Sequence, residues 1–357
     1  MINVTKTFLP PFEEYSTMLK RAWNKVWITN NGELSLELER KLTYYLGVKN
    51  LKFCSNGTVV LQMAIKALNI SKEVITTPFS YVATTNAILW ENCKPIFVDI
   101  NNENFCIDAR KVEKAITPRT QAILATHVYG YPCEVDLLER IAKENNIKLI
   151  FDAAHAFGTT INNRSLLDYG DVSTCSFHAT KLFHTGEGGC LITKDDILFA
   201  QLSLMSHFGH IGDEYFSVGI NAKNSEFHAA MGLCNLKYID EIIGRRKKQW
   251  KYYWTLLKDS DIQLLKVSPD IEYNHAYFPV IFRSEEILLK VVKRLNGINI
   301  FPRRYFYPAL NQLPFINYQP CPVAEKIANS AICLPLFYDL ESADQELISQ
   351  VILEELN

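Results

Sequence analysis

The sequence predicts an α/β fold, with a mostly parallel seven-stranded sheet in a large domain over residues 1–245 and a smaller α+β domain over 246–357. Three observations predict it. Between about residue 50 and residue 195, short apolar runs alternate with helical patterns, the order expected of a sheet wrapped by helices. Several of those runs are continuously apolar, as strands covered on both faces are. After about residue 240 the rhythm changes to long helices and one alternating strand.

The seven candidate strands are, in order, 51–54, 73–77, 95–100, 122–128, 147–152, 172–177 and 189–193. Helical patterns intervene, as at 58–68 and at 136–145, the second opening on Asp136 as its cap. Further on, a basic and aromatic helix over 244–257 leads to an alternating strand over 275–282 and a helix over 284–296. The last helix starts near Ser342, which has capping-box spacing to Gln345, and its apolar face carries Ile348, Val351, Ile352 and Leu356. The charge run from Arg245 to Lys248 is expected to be a solvated helix face.

With 357 residues, 48% hydrophobic and 21% charged, the chain has the balance of a globular enzyme and can bury a core without staples. A net charge of −2 gives no basic footprint, so neither nucleic acid nor an anionic membrane is expected as a partner. The nine cysteines are odd in number and widely spaced, with no C-x-x-C pair; they fit reduced, buried thiols of a cytoplasmic protein. No stretch is apolar enough to span a bilayer, and residues 1–12 have no apolar signal core, so neither export nor a membrane anchor is expected. The pairs His178/His184 and His207/His210 lack a supporting carboxylate or Cys set, so no metal site is expected.

Three features carry chemistry. Ser55-Asn56-Gly57-Thr58 joins a strand to a helix, where backbone N–H groups and the helix dipole suit an anion; a plain capped turn has the same look. Asp152 ends an apolar strand, so its carboxylate is partly desolvated and wants a cation such as a protonated pyridine nitrogen, although it could simply cap the next turn. Lys181 lies between the apolar strand ending in Ser176-Phe177 and the Gly-rich turn 186–189, where desolvation lowers an amine's pKa as a Schiff-base lysine requires. The Ser176 hydroxyl is a candidate phosphate ligand. Anion cradle, buried carboxylate and loop lysine together are what a phosphorylated pyridine aldehyde requires. Glu187 is left without a role, since a glutamate in such a turn commonly bonds only the backbone.

The segments SNGT (55–58), FDAAHAFGT (151–159), SFHATKLFHTGEGG (176–189) and GINAKNSEFHAAMG (219–232) resemble the nucleotide-sugar aminotransferases of the DegT family, which depend on pyridoxal 5′-phosphate (PLP). The resemblance runs over nearly the whole chain. It implies the aspartate aminotransferase fold (fold type I) and a homodimer with both active sites at the subunit interface. It assigns Lys181 to the Schiff base and to proton transfer, and Asp152 to the pyridine nitrogen. His155 would lie near the ring's phenolic oxygen, where many relatives have Gln. Gly57 and Thr58, through their backbone, and Ser176, through its hydroxyl, would hold the phosphate. Tyr81 would stack on the ring, and Asn221 would reach the partner subunit's cofactor. Lys223 stands where many relatives have Arg, and a point charge is no substitute for a bidentate fork.

The implied reaction takes an amino group from L-glutamate and gives it to a nucleotide-linked keto-sugar. His178, where enzymes acting at C3 commonly have Tyr-Pro, makes the chain resemble those acting at C4. The implied acceptor is dTDP-4-keto-6-deoxyglucose, with dTDP-4-amino-4,6-dideoxyglucose as product. Arg303 and Arg304 are candidates for the substrate diphosphate, or else a surface pair. Three alternatives stay open: a C3 aminotransferase, a sugar dehydratase of the same fold, and a non-catalytic scaffold. The dehydratases that lack the Schiff-base lysine have His in its place, and Lys181 is present here.

Overall fold

The computed structural model describes residues 1–356. Seven strands form the main sheet: β1 (Asn50–Cys54), β2 (Glu73–Thr76), β3 (Lys94–Phe97), β4 (Thr120–Thr126), β5 (Lys148–Asp152), β6 (Val172–Ser176) and β7 (Gly189–Thr193). Their order is β1-β7-β6-β5-β4-β2-β3. The pairs from β6 across to β3 are parallel, while β7 runs antiparallel to both of its neighbours. The connection from β6 to β7 contains no helix, and a parallel return needs a crossover. That helix-free connection carries Lys181.

The continuous apolarity of the strands has a direct cause. Ala122 and Leu124 of β4 join one core cluster, while Ile123 and Ala125 join another on the opposite face. Both faces are covered by helices, so both sets of alternate residues are buried. The C-terminal part builds a three-stranded antiparallel sheet from Gln263–Leu264, Phe278–Ile281 and Ala331–Leu334.

Several sequence expectations need correction. The strand expected over 275–282 is Phe278–Ile281, and it is buried at all four positions rather than alternating, because Phe278 and Val280 on one face and Ile281 on the other all pack into the core. His275 lies outside it in a left-handed conformation (φ 53°). The runs to residues 100 and 128 end earlier as strands, and after β4 the chain turns through Tyr129 at φ 57°. Asp136 lies in the first turn of helix Val135–Glu144, not at its cap, where its charge still complements the helix dipole.

The basic helix is longer than expected, Ile239–Leu257, and runs unbroken through the expected domain division at 245/246. Its buried residues Ile239, Ile242, Arg246, Trp250, Tyr253 and Leu257 follow helical spacing, so Arg246 falls on the apolar stripe instead of in solvent. Its guanidinium donates to the Ala276 carbonyl at 3.0 Å. Gln345 is buried too and gives its amide to the Gln249 carbonyl at 2.8 Å, so it does not close a capping box with Ser342.

Candidate active site

Asp152 is the last residue of β5, and the strand delivers it buried at the carboxyl edge of the sheet. Its Oδ2 accepts from the Thr84 hydroxyl at 2.6 Å and its Oδ1 from the Ala154 N–H at 3.1 Å. Burial raises its pKa, while these two donors and the charge of Lys181 oppose that rise. Lys181 sits in the loop between β6 and β7. Desolvation lowers its pKa, and the Asp152 charge is the strongest influence acting the other way. The sequence-predicted carboxylate and amine therefore share one electrostatic environment.

A small cavity beside Lys181 is lined by His155, Ser176, Thr180 and Tyr277, among others. The buried His155 ring stacks on Phe306, with centroids 5.5 Å apart and planes 12° apart, and meets Tyr277 edge-on at 5.0 Å. Its Nδ1 is buried without a partner, and desolvation pushes its pKa well below the usual imidazole value. A neutral ring with an unspent nitrogen is thus held against the cavity.

The expected phosphate cradle lies at the start of helix Gly57–Ala67. Asn56 caps it, its Oδ1 accepting from Thr58 N–H at 3.0 Å and Val59 N–H at 2.8 Å. Of the two backbone donors expected there, that of Thr58 is already engaged. A Cβ on Gly57 would lie 2.8 Å from Ser176 Cβ and 3.1 Å from its Oγ. Only glycine allows the helix start and the end of β6 to approach this closely.

Tyr81 occupies the N-cap position of helix Val82–Trp90, is exposed, and is among the groups that act on Lys181. Asn221 is exposed and bridged to His207. Lys223 holds its amine 4.7 Å from the Phe208 ring centroid. The two arginines part company. Arg303 is exposed and lies over Tyr305. Arg304 is committed within the chain, to Glu285 at 2.8 Å, to the Asn329 carbonyl at 3.0 Å and to the Tyr307 ring. Glu187 is exposed, with Oε1 3.6 Å from His178 Nε2. All nine cysteines are free and buried, and no metal-binding cluster occurs among the described residues.

Sequence reasoning missed Thr84, Tyr277, Phe306 and Asn224. Asn224 is buried and donates to the carbonyls of Cys54 at 3.2 Å and Glu187 at 2.9 Å, tying the end of β1 to the turn before β7. Nothing local marks them, since the partners that place them here, Asp152 for Thr84, His155 for Tyr277 and Phe306, and Cys54 and Glu187 for Asn224, lie far away in the chain.

The model of the DegT/DnrJ/EryC1/StrS aminotransferase family matches residues 12–353. A dTDP-4-amino-4,6-dideoxy-D-glucose transaminase from Shigella dysenteriae is 39% identical, over 99% of this chain and 98% of its own. The enzyme of the same name from Escherichia coli is 36% identical over the same shares. Among solved structures, DesI with its TDP-sugar product superposes with a TM-score of 0.94 at 30% identity, covering 99% of this chain and 92% of that one. Helicobacter pylori PseC, an aminotransferase of pseudoaminic acid biosynthesis, gives 0.90 at 26% identity, covering 98% and 99%. Matched from end to end in sequence and in fold, the chain belongs to the DegT/DnrJ/EryC1/StrS family and is a PLP-dependent sugar aminotransferase of fold type I.

Proposed function

We propose that this enzyme moves an amino group from L-glutamate to C4 of dTDP-4-keto-6-deoxyglucose, yielding dTDP-4-amino-4,6-dideoxyglucose. The observation that carries the reading is the placement of Asp152, buried at the carboxyl edge of the sheet, within electrostatic reach of Lys181, which lines a small cavity together with His155 and Ser176. The choice of acceptor is supported by the names of the Shigella dysenteriae and Escherichia coli transaminases to which the chain is similar.

The residues present fit PLP. Its phosphate suits the Gly57–Ser176 cradle, and the unpartnered Nδ1 of His155 is available to its phenolic oxygen. When bound, PLP supplies the electron sink for the carbanion chemistry. Asp152 keeps a proton on the ring nitrogen. Lys181, with its lowered pKa, anchors the cofactor and then carries a proton to and from the reacting carbon. Tyr81, exposed and within electrostatic reach of Lys181, would stack on the ring.

Asn221 acts from the second copy of a homodimer with shared sites. Exposed Trp27, Ile28, Phe208, Phe216 and Val218 offer the apolar surface such an assembly would cover. The free buried thiols suit a cytoplasmic setting.

The test is an absorbance spectrum with PLP, repeated after L-glutamate and again after dTDP-4-keto-6-deoxyglucose. The yellow band is expected to bleach with glutamate and return with the sugar. Bleaching without return would reject the acceptor; absence of the band would reject the role of Lys181. Lys181→Ala is expected to bind PLP without the band and to lose turnover. Asp152→Asn is expected to keep the band and slow turnover severely.

A further inference from the structure

Three buried hydroxyls end in a line on Asp152. Thr126 closes β4 directly beside Asp152 in the parallel register with β5. Ser80 lies between β2 and the following helix, and Thr84 in the first turn of that helix, Val82–Trp90. Thr126 Oγ1 is 3.1 Å from Ser80 Oγ, which is 2.8 Å from Thr84 Oγ1, which is 2.6 Å from Asp152 Oδ2. All three side chains are buried.

A hydroxyl has one hydrogen to give, and that fixes the direction of the chain. Ionised Asp152 can only accept, so Thr84 donates to it. Thr84 then has no hydrogen left for Ser80, so Ser80 donates to Thr84. By the same count Thr126 donates to Ser80. If Oδ2 instead carried a proton directed at Thr84, every hydroxyl would have to turn over. Thr126 would then end the chain, and among the described residues its Oγ1 has no other partner to receive its hydrogen. A stranded buried donor is unfavourable, so the chain favours the charged carboxylate.

We propose that Thr126, Ser80 and Thr84 form a one-way hydroxyl chain that keeps Asp152 ionised and its Oδ2 fixed, with Thr84 as the main positioning residue. The inference deepens the function proposed above and rests on the role given there to Asp152. The chain works against the desolvation that raises the carboxyl pKa. The titratable groups facing Asp152 are Lys181 and, on β6, the thiol of Cys175, which burial pushes up to about 12 and so keeps neutral. Lys181 also faces His155, Tyr305 and Tyr81.

The experiment has two readouts, neither of them turnover. One is the dissociation constant for PLP. The other is the pH midpoint for reductive methylation of Lys181 in the cofactor-free protein, followed by peptide mass spectrometry. Asp152 raises the Lys181 pKa, so loss of its charge moves that midpoint to lower pH. Thr84→Val is expected to weaken PLP binding roughly tenfold, the scale of one charge-assisted hydrogen bond, and to move the midpoint upward by less than about one pH unit, since a carboxylate that has lost its donor acts more strongly on Lys181. Thr84→Ser should restore both. Thr84→Val should add nothing in an Asp152→Asn background. Ser80→Ala, which keeps the Thr84 donor but frees its direction, should shift both readouts the same way by less, and it serves if Thr84→Val fails to fold. If Asp152→Asn moves both readouts and neither hydroxyl variant moves either, the chain is idle and the proposal fails. If Asp152→Asn moves neither, the role of Asp152 falls and takes this inference with it.

Discussion

Gly57 and Ser176 approach so closely that a Cβ on the glycine would lie 2.8 Å from that of the serine. Gly57 has no positive φ to justify a glycine, so the reason is space between the first helical turn and the end of β6. Adding a methyl group there pushes Ser176, at the end of β6, away from the cradle. Gly57→Ala is therefore expected to lose about 1–3 kcal/mol of stability and to bind PLP at least about tenfold more weakly. Ser176→Ala should show a smaller loss, having lost one hydroxyl but kept the shape. Titration of PLP against absorbance checks both, and wild-type affinity in Gly57→Ala would remove the cradle from the site.

Lys181 offers a pH prediction whose sign follows from burial. Desolvation lowers its pKa, so the neutral, nucleophilic amine persists to lower pH than in a free lysine. The pH midpoint for carbonyl labelling of Lys181 is expected below that of the unfolded chain, where the amine returns to its ordinary value. Urea-unfolded protein is the control. Asp152→Asn should lower the folded midpoint further, since it removes the charge that holds the proton on. A midpoint equal to the unfolded one would mean the amine is solvated.

Much of this architecture is legible in the sequence because both core faces of the sheet are apolar. Ala122 to Ala125 reads as a buried strand without any knowledge of its neighbours, and the structure sends alternate residues to opposite clusters. Asp152 and Lys181 are legible for the converse reason: each puts a charge at the end of such a run. Thr84 was hidden because a threonine amid the apolar residues of a helix looks like filler, and its partner lies 68 positions away. Arg246 was misread because four basic residues in a row look like a solvated face. Spacing from Ile242 to Trp250 placed Arg246 on the apolar stripe all along.

Arg303 and Arg304 are adjacent yet should fail in different assays. Arg304 binds Glu285 and the carbonyls ending helix Pro322–Ser330, with its guanidinium over Tyr307, so it holds the small sheet to its helices. Arg304→Ala is expected to cost about 1–2 kcal/mol of stability. Arg303 is exposed and makes no ion pair among those found in the described residues, so Arg303→Ala should leave stability within about 0.5 kcal/mol. If Arg303 meets the substrate diphosphate, its loss raises KM for the nucleotide sugar and leaves the half-reaction with glutamate untouched. Equal effects on both half-reactions would place Arg303 outside sugar recognition.

Glu226 makes the strongest test of how the N-terminal segment is held to the site. Helix Glu33–Leu46 has Gly32 at its N-cap, a residue with no side chain to satisfy the first N–H groups. The carboxylate of Glu226, fully buried at the start of helix Glu226–Asn235, supplies that cap from elsewhere in the chain. It accepts from Leu34 N–H at 2.7 Å, Ser35 N–H at 3.0 Å and the Ser35 hydroxyl at 2.5 Å. A Cβ on Gly32 would collide with that carboxylate, which is why the cap position is bare. Glu226→Ala leaves buried donors unmet and is expected to cost about 3 kcal/mol. Gly32→Ala displaces the same carboxylate and should cost a comparable amount by a different route. Because both break one interaction, the double variant should be far less destabilised than the sum. Denaturant unfolding of the four proteins measures this coupling, and simple additivity would show that Gly32 and Glu226 act independently.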